Sequence, residues 1–528
     1  MDLSNWHIVV ACILVVLLYI VYNDRKLLAL PEEARIHSPT RITAQSALEA
    51  AKDLVDDPVR IEHYLPPATG RRYIVIGGAG FLGGWIVRHL IERGEDPHKI
   101  RVLDIRAPTR PDLISGAATL VDFYQVDISN AESVKRAFSA PWPEHALDAP
   151  LTVFHSAANI RFYERSPELF SLSAAVNVRG TQNIIDAARQ CDASILVYTS
   201  SGSITFHTTR CLLWPWEKQP ERVVQLLDDK SPIPLKHEEF FSNYAASKTI
   251  AEGLVRSADK TPSGTGVLRT GCIRPGNGIY GTGGDALCGA LLVRKSNQTW
   301  MGNVLHSFVY VENCSLAHLN YERCLIEIEK ASQRGSGNDE HKSDVTDIGG
   351  DAFTICDSGP AVTYGDVYTL LQTLTAGTTT FTTVSPTAML LLAHLVEFYY
   401  LLRHRLIKST SAVSRLAGRC LPSVKGDILG LQPSAFPFTL SHLIFSDSRA
   451  RLPLSSGGLG YRGPYTTSKG LCKLVEEYER SGRRAEERSL TLGLGMDVAP
   501  RATLAADLGG KVKRIGQSLA EEAVGLAN

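Results

Sequence analysis

Neither sign of charge is in excess in this sequence, because 55 Lys and Arg residues balance 55 Asp and Glu residues. Proteins that bind nucleic acid along their surface carry an excess of basic residues, so the balance predicts that nucleic acid is not a partner. Cys-x-x-Cys pairs are also lacking among the 10 cysteines, and no histidine has the spacing of a zinc partner. The cysteines therefore predict neither a metal site nor a disulfide framework, and they are typical of buried thiols in a reducing compartment.

The composition has neither the high charge of disordered proteins nor the high hydrophobic content of multi-pass membrane proteins. Hydrophobic residues make up 44% of the chain and charged residues 21%, which is typical of a globular protein. The 528 residues are several times the ~100–200 residues of a single domain. The length therefore predicts two or three compact units.

One long apolar run lies near the N-terminus. Trp6 to Tyr22 contains no Asp, Glu, Lys or Arg, and Arg25 and Lys26 follow it. A cleaved signal peptide would carry basic residues before the run, so we expect an uncleaved transmembrane anchor with the body of the chain on the cytoplasmic side. Two glycosylation sequons, at Asn297 and Asn313, would stay unmodified in that topology and would serve as reporters of it.

A second apolar stretch, Ala388 to Leu402, is interrupted by His394 and Glu397. The central Glu397 disfavours a membrane crossing. Two interpretations stay open, a helix buried in the C-terminal region and a helix that lies in a membrane surface beside the substrate entrance. The segment from Gly335 to Asp347 is polar and predicts a surface insertion.

Short apolar runs alternate with helical patterns from residue 73 onward. The runs are Tyr73–Ile76, Ile100–Asp104, Leu151–Phe154 and Ser194–Tyr198. Strands separated by helices form parallel sheets with right-handed crossovers. The sequence therefore predicts an α/β fold with a doubly wound parallel sheet.

Glycines follow the first run directly. Gly77, Gly80 and Gly83 form G-x-x-G-x-x-G before a helical segment that starts with Phe81 and Leu82, and Asp104 ends the next strand. Glycines allow close approach to a pyrophosphate, and the helix N-terminus offers free N–H groups. A carboxylate at Asp104 accepts hydrogen bonds from ribose hydroxyls and repels a 2′-phosphate, which favours NAD over NADP, although Arg106 lies nearby.

Tyr244 and Lys248 have the spacing that places two side chains on one face of a helix. A tyrosine is a poor base at neutral pH, but the charges of Lys248 and of an oxidised nicotinamide favour the phenolate. Tyr244 could then take the proton of an alcohol as hydride leaves. Ser201 follows a predicted strand at the edge where such sheets bind ligands, and it could donate to the substrate oxygen.

These motifs resemble those of the extended short-chain dehydrogenases/reductases. The resemblance rests on GGAGFLG at 77–83, NVRGT at 177–181, YTSS at 198–201, YAASK at 244–248 and LRTGCIRPGNGIYG at 268–281. Later motifs, Phe308 to His318 and Ser446 to Ala450, look most like the 3β-hydroxysteroid dehydrogenase branch, and within it the decarboxylating sterol-4α-carboxylate 3-dehydrogenases. The resemblance covers roughly residues 72–480.

The resemblance implies a role for each matching residue. Tyr244 would be the acid/base, Lys248 the ribose ligand, Ser201 the donor to the substrate oxygen and Asn177 a fourth member that relays the proton. Asp127 would approach the adenine and Ala157 would line the cofactor site. The family commonly has Thr before its first glycine, where this chain has Ile76, which removes a possible hydrogen bond of the turn.

The resemblance also divides the chain and implies its activity. We expect a Rossmann-type sheet with a smaller C-terminal substrate domain and an N-terminal transmembrane helix. The predicted parts are a membrane anchor, a linker, an NAD-binding domain with the catalytic residues, a substrate-binding region and a tail, at 1–26, 27–70, 71–270, 271–480 and 481–528. The implied protein is anchored in the endoplasmic reticulum membrane, contacts membrane lipid and, by analogy, forms a homodimer.

The expected reaction is NAD-dependent oxidation of the 3β-hydroxyl of a sterol or triterpenoid, with loss of CO₂ where C4 carries a carboxylate. Two alternatives stay open. One is a 3β-hydroxysteroid dehydrogenase, with or without isomerase activity, that does not decarboxylate. The other is a non-catalytic NAD-binding scaffold, against which the intact Ser201, Tyr244 and Lys248 count. A nucleotide-sugar epimerase shares the early motifs but not the apolar anchor or the later ones.

Overall fold

The computed structural model describes residues 3–334 and 345–481. Most of the predicted insertion at Gly335 to Asp347 and nearly all of the predicted tail at 481–528 lie outside the described residues.

Helices and strands alternate through the first half of the chain and are mixed in the second. The helices are α1 Leu3–Leu27, α2 Glu32–Arg35, α3 Ala44–Asp56, α4 Phe81–Glu92, α5 Ala131–Phe138, α6 Phe170–Ala174, α7 Thr181–Gln190, α8 Asn243–Ser257, α9 Cys288–Arg294, α10 Val311–Arg334, α11 Tyr364–Leu374, α12 Pro386–Lys408, α13 Ala412–Cys420, α14 Asp427–Gly430, α15 Ala435–Leu440, α16 Ser448–Arg451 and α17 Thr467–Ser481. The strands are β1 Arg72–Ile76, β2 Ile100–Asp104, β3 Asp122–Gln125, β4 Leu151–His155, β5 Ala193–Thr199, β6 Val224–Leu227, β7 Thr261–Ser263, β8 Gly266–Pro275, β9 Ile279–Tyr280, β10 Ser296–Thr299, β11 Leu305–His306, β12 Val309–Tyr310, β13 Ala352–Ile355, β14 Val362–Thr363, β15 Thr380–Thr383 and β16 His442–Phe445.

The main sheet has the strand order β13-β8-β5-β4-β1-β2-β3, and β7 pairs with β8. All neighbours along that order run parallel, whereas β7 is antiparallel to β8. The chain starts at β1, fills one side with β2 and β3, and then returns to β4 on the other side of β1. The predicted doubly wound Rossmann-type sheet is confirmed, and its strand order reverses between β1 and β4.

Both faces of this sheet are covered by helices. Every residue from Tyr73 to Ile76 is fully buried, as expected for a strand with no solvent face. Side chains of α4 and α10 form a hydrophobic core on one face, and those of α5, α7 and α8 form a second core on the other. Polar groups can therefore reach ligands only where the strands end.

A smaller region lies beside the sheet and is built from several stretches of chain. It contains the four-stranded sheet β14-β11-β16-β6 and a core from α9, α11 and α17. The boundary predicted at residue 270 falls inside β8, and both β13 and α10 of the predicted substrate-binding region belong to the main sheet and its cores. In the opposite direction, β6 leaves the predicted NAD-binding domain and pairs with β16.

The segment predicted as a linker at 27–70 packs into the smaller region. Ala47 of α3 is fully buried in the core that α11 and α17 form. The backbone N–H of Ile42 donates to Asp366 Oδ1 at 2.7 Å, and Arg41 donates to Asp366 Oδ2. The face of α3 that carries Ala47 therefore packs against α11 and α17 as part of a hydrophobic core.

The first helix, α1, carries most of its apolar side chains exposed. Within the described residues, the stretch from Trp6 to Arg35 contains the one helix that is long and apolar enough to cross a membrane. Its C-terminal end is attached to the body of the protein, where Asn23 Nδ2 donates to Thr387 Oγ1 at 2.8 Å and to the Cys211 carbonyl at 3.0 Å. Asp24 accepts from the backbone N–H of Thr387 at 2.9 Å.

Both sequon asparagines lie inside the structure. The Asn297 side chain donates to the Leu291 carbonyl at 2.9 Å, and the Asn313 side chain is buried and donates to Asp357 at 2.8 Å. The folded protein therefore leaves no room for a glycan at either position.

The second apolar stretch forms α12, which is not a buried helix. Leu390 and Ala393 are buried, but Leu391, Leu395 and Phe398 are exposed. The interpretation of this stretch as a buried helix does not fit the structure.

Candidate active site

The glycine turn between β1 and α4 is held by two close approaches of the backbone. Gly77 has φ +81°, and a Cβ at that position would lie 2.9 Å from the Ala157 nitrogen. A Cβ at Gly83 would lie 2.2 Å from the Gly77 carbonyl oxygen. Only glycine fits at either position, so the turn brings its backbone to the sheet edge without side chains in the way.

Helix α4 begins directly after this turn. Its first intrahelical bond runs from the Gly84 N–H to the Gly80 carbonyl at 3.1 Å, so the N–H groups of Phe81, Leu82 and Gly83 precede the helical ladder. These groups and the positive end of the helix dipole suit a pyrophosphate.

The carboxylate of Asp104 lies at the end of β2, beside the turn. Its oxygens accept from the Ala79 N–H and from the Arg106 N–H, each at 3.2 Å. Burial raises the pKa of Asp104, and these backbone hydrogen bonds oppose the rise. The half-buried carboxylate is therefore held at the position where the ribose of a dinucleotide would lie.

Asp127 and Ala157 lie on either side of the same edge. Asp127 follows β3, is exposed and accepts from the N–H of Ser129 at 2.9 Å. Ala157 follows β4 and contacts Gly77. The eight residues of the glycine segment and sheet edge predicted to hold a cofactor are thus gathered where the strand order reverses, which is where such sheets bind ligands. A nicotinamide dinucleotide fits this set.

Tyr244 and Ser201 meet on the far side of β4. Tyr244 lies in the first turn of α8, which Ser242 caps, and Ser201 follows β5. Burial raises the pKa of Tyr244 to about 12, and the neighbouring Ser201 hydroxyl opposes the rise. Ser201 shares a hydrogen bond of 2.8 Å with Ser203, two residues further along.

Lys248 is almost fully buried on the same helix. Its Nζ donates to the Thr199 carbonyl and lies 4.1 Å from the centre of the Tyr198 ring. Burial lowers the pKa of Lys248 to about 7, against opposing effects of Cys272 and Glu252. Burial therefore disfavours both the Lys248 ammonium and the Tyr244 phenolate in the cofactor-free protein.

Asn177 lies in a π-helical turn, Ala175–Gly180, that leads into α7. Its Oδ1 accepts from the Asn159 N–H at 2.7 Å, and its Nδ2 donates to Ser247 Oγ at 2.9 Å. Ser247 in turn donates to the Tyr244 carbonyl at 2.8 Å. Asn177 is therefore connected to the turn of α8 that carries Tyr244, and it also fixes the loop after β4.

A buried ion pair behind Lys248 was missed by the sequence analysis. Arg274 donates to Glu252 from Nη2 at 2.6 Å and from Nε at 2.9 Å, and Ser200 Oγ donates to Glu252 at 2.6 Å. Burial alone would raise the pKa of Glu252, but Arg274 and Ser200 hold it below the usual value. The helical spacing of Glu252 from Tyr244 and Lys248 is a signal that could have found it.

A buried histidine on α10 completes this network. His318 Nδ1 donates to the Cys314 carbonyl at 2.8 Å, so its Nε2 accepts from the Thr199 hydroxyl at 2.7 Å. Burial lowers the pKa of His318 to about 4, so the ring is neutral at pH 7. The Thr199 to Ser201 segment is thereby held between α8 and α10.

The arrangement offers one chemistry above others. The Ser201 and Tyr244 hydroxyls are neighbours, one helical turn from a buried amine and one strand away from the glycine turn. Such a pair can bind an alcohol oxygen and exchange its proton. Among the described residues, no group of His, Cys, Asp and Glu could hold a metal ion.

The comparisons with known proteins agree with this arrangement. The model of the 3-beta hydroxysteroid dehydrogenase/isomerase family matches residues 74–381, which is more than half of the chain. The matched part runs from β1 through the glycine turn, Ser201, Tyr244 and Lys248 into β15.

Two curated relatives share this region. The 3beta-hydroxysteroid-dehydrogenase/decarboxylase isoform 2 of Arabidopsis thaliana is 29% identical over 51% of this chain and 44% of its own length. The decarboxylating sterol-4-alpha-carboxylate 3-dehydrogenase of Schizosaccharomyces pombe is 28% identical over 47% of this chain and 63% of its own length. The match therefore spans less than two thirds of either relative.

Among solved structures, an epimerase from Methanothermobacter thermautotrophicus has a TM-score of 0.50 with this chain. It is 14% identical, and the match covers 80% of this chain and 95% of that one. At this identity the likeness shows the fold alone.

The first prediction concerns the glycine turn. Gly83→Ala should weaken NADH binding by at least about tenfold, because its Cβ would lie 2.2 Å from the Gly77 carbonyl and must push the turn open. The measurement is a titration of intrinsic fluorescence with NADH. Gly253→Ala in α8 is the control, since its Cβ meets nothing within 4 Å. Equal affinity of both variants would show that the turn does not hold the dinucleotide.

The second prediction concerns Lys248, whose pKa is about 7 in the folded protein against an ordinary 10.5. Between these values the unfolded chain keeps a proton that the folded protein has released, so the free energy of unfolding rises with pH. From about pH 7 to about pH 9 this contributes about 2 kcal/mol. Lys248→Met should lose that rise in urea unfolding followed by circular dichroism.

The control for this measurement is Lys52→Met, because Lys52 is exposed on α3. This variant should keep the full rise with pH. If the free energy of unfolding rose equally with pH in Lys248→Met and in the wild type, Lys248 would not be held in an environment that disfavours its charge.

Proposed function

The chain belongs to the 3-beta hydroxysteroid dehydrogenase/isomerase family, and we propose that it oxidises the 3β-hydroxyl of a sterol or triterpenoid to the 3-ketone with NAD⁺. We propose further that a substrate with a C4 carboxylate loses CO₂. The observation that carries the proposal is the placement of Tyr244 beside Ser201 and one helical turn from the buried Lys248, next to the glycine turn that follows β1.

Each residue of the cradle has a proposed partner on the cofactor. The N–H groups of Phe81, Leu82 and Gly83 face the pyrophosphate, with Gly77 and Gly80 clearing its path. Asp104 accepts from the adenosine ribose, Asp127 approaches the adenine and Ala157 lines the site. When bound, NAD⁺ supplies the acceptor for the hydride that leaves C3 of the substrate.

The protein's own part is the handling of the proton. Ser201 donates to the substrate oxygen and orients it, while Tyr244 takes its proton as the carbonyl forms. The phenol of Tyr244 has a pKa of about 12 in the cofactor-free protein, so it must be lowered by positive charge that the bound state brings close. Lys248 holds the nicotinamide ribose, and Asn177 relays the proton toward solvent.

Decarboxylation needs no further residue. Oxidation at C3 turns a 4-carboxy substrate into a β-keto acid, in which the C4–carboxylate bond can break. Its electron pair then forms an enolate with the new ketone, CO₂ leaves, and a proton returns to C4. A second candidate is a dehydrogenase that also isomerises a double bond. The description of the family as dehydrogenase/isomerase supports this candidate.

The location of the protein is also a proposal. Helix α1 is the proposed single-pass anchor in the endoplasmic reticulum, and Arg25 and Lys26 after the apolar run keep the catalytic part on the cytoplasmic side. A membrane-bound enzyme has direct access to substrates that partition into lipid. The proposed homodimer would be tested by light scattering of the full chain in detergent.

The test of the reaction uses the full-length chain in detergent with NAD⁺. A 3β-hydroxy-4α-carboxysterol should yield NADH and a product lighter by CO₂, followed by absorbance and mass spectrometry. A carboxyl-free analogue yields a ketone without mass loss. A ketone with a shifted double bond would favour the isomerising alternative. If neither sterol gave NADH while NADH binding was intact, sterols would be rejected as the substrate class.

Tyr244→Phe tests the mechanism within this assay. Removing the acid/base hydroxyl should lower kcat by about 10²- to 10⁴-fold while NADH binding stays unchanged. Tyr64→Phe is the matched control, because Tyr64 is an exposed tyrosine outside the site. Unchanged turnover in Tyr244→Phe would contradict the assignment, and turnover absent from the wild type as well would favour the non-catalytic scaffold.

The choice of NAD over NADP rests on Asp104. Asp104→Ser removes the carboxylate that repels a 2′-phosphate and accepts from the ribose, so the ratio of kcat/KM for NAD⁺ over NADP⁺ should fall about tenfold or more. Asp127→Asn is the comparison, because a contact with adenine affects both cofactors alike. If Asp104→Ser left the ratio unchanged, Asp104 would not set the preference.

A further inference from the structure

Helix α12 carries a continuous apolar face that no other part of the described chain covers. Its exposed residues recur at helical spacing over about three turns, and Leu395 and Phe398 are each 67% exposed. The face consists of Leu391, Leu392, Leu395, Phe398 and Leu402. Single exposed apolar residues are common, but a contiguous face of this length marks an interaction surface.

Helix α13 extends this face. It packs against α12, where Tyr399 OH donates to the Pro422 carbonyl at 2.7 Å and Arg403 donates to the Leu421 carbonyl at 3.0 Å. Val413 and Leu416 of α13 are exposed as well. The two helices therefore form one amphipathic pair.

A loop with two tryptophans lies at the end of α1. Trp214 and Trp216 stack with ring centres 5.3 Å apart, and both are exposed, Trp216 by 75%. Tyr19 of α1 donates to the Leu213 carbonyl at 3.0 Å, and Lys26 donates to the carbonyls of Pro215 and Glu217. Tryptophans are enriched at the level of lipid headgroups, which is where the last turns of a membrane anchor lie.

The stretch of chain from the middle of α12 to the end of α13 carries charged side chains of one sign. Between Phe398 and Gly426 there is no Asp or Glu, and the basic residues are Arg403, Arg405, Lys408, Arg415, Arg419 and Lys425. Basic residues beside an apolar helix face are typical of helices that lie in the interface of a bilayer with anionic lipids. The charge thus matches a membrane surface.

We propose that α12, α13 and the Trp214–Trp216 loop form a lipid-facing surface that lies in the headgroup region of the bilayer and binds anionic lipid. The surface is continuous with the end of α1, since Asn23 and Asp24 bind Thr387 at the start of α12. The proposal extends the proposed membrane location of the protein and is independent of the proposed reaction.

The other face of α12 connects this surface to the active site. Arg165 pairs with Glu397 through two hydrogen bonds of 2.7 Å, and Tyr400 OH donates to Glu164 at 2.7 Å. Arg405 donates to Glu168 at 2.7 Å. These partners belong to the loop after β4, which begins beside Asn159 and Asn177, so a lipid-facing α12 places that loop at the membrane.

The first test separates this surface from the anchor. In a full-length variant with Leu14→Asn, Leu17→Asn and Leu18→Asn, α1 can no longer insert and gains no charge that would itself attract anionic lipid. This variant should still sediment with vesicles of phosphatidylcholine and phosphatidylserine, at least about tenfold more than with phosphatidylcholine alone, and should be released by high salt. Binding of the wild type to phosphatidylcholine alone reports the anchor separately.

The apolar face is then tested in the same background. Adding Leu395→Asp and Phe398→Asp should reduce the binding to phosphatidylserine vesicles at least about tenfold. Adding Val55→Asp and Ile114→Asp should not, because these equally exposed residues lie on α3 and in the loop between β2 and β3. If the α1 variant showed no preference for phosphatidylserine, or if both pairs of aspartates acted alike, the proposal would be overturned.

A second measurement needs no change to α1. In wild-type protein reconstituted into bilayers, lipids brominated near the headgroup should quench the fluorescence of Trp214 and Trp216. Trp214→Phe with Trp216→Phe should remove most of the shallow quenching, whereas Trp142→Phe, which changes a tryptophan packed beside Arg101, should not. Equal quenching in the two variants would place the loop in water and contradict the proposal.

Discussion

The parallel sheet with both faces covered is the constraint on which the rest of this structure depends. Tyr73 to Ile76 are fully buried between two layers of helices, so no polar group can act from a face of the sheet. Functional groups must emerge where strands end, and the reversal of order between β1 and β4 opens the edge there. The glycine turn, Asp104, Ala157 and Ser201 all follow strands at this edge, and α8 brings Tyr244 and Lys248 to it.

Burial of charge is the second determinant of the site. Lys248 is surrounded by protein and donates to a backbone carbonyl, so its amine has little preference for the charged form. Glu252 stays charged in the same interior because Arg274 and Ser200 satisfy both of its oxygens. A pocket of this kind responds strongly to one added charge, since the surrounding dielectric is low. In the cofactor-free protein, burial therefore disfavours the charged forms of both Lys248 and Tyr244.

How much the sequence predicts depends on how local the cause is. The strands, the glycine turn and the shared face of Tyr244 and Lys248 follow from periodicity and from the backbone needs of glycine, so they could be predicted. The pairing of Glu252 with Arg274, the burial of Ala47 and the entry of β13 into the main sheet depend on which surfaces meet in three dimensions. The burial of Tyr244 and Lys248 could not be predicted for the same reason, because the charge pattern does not show which groups lose contact with water. The catalytic roles of Ser201 and Asn177 stay predictions.

Helix α12 explains how a membrane position and the site can be parts of one arrangement. A helix with apolar residues on one face and Glu397 and Arg405 on the other cannot be satisfied by water alone or by lipid alone. In this protein the charged face is satisfied by Arg165 and Glu168 of the loop after β4, which leaves the apolar face outward. The ion pairs therefore determine which face remains for lipid. They also fix the loop that contains Asn159 to the same helix, so this loop and the apolar face of α12 cannot move independently while the pairs persist.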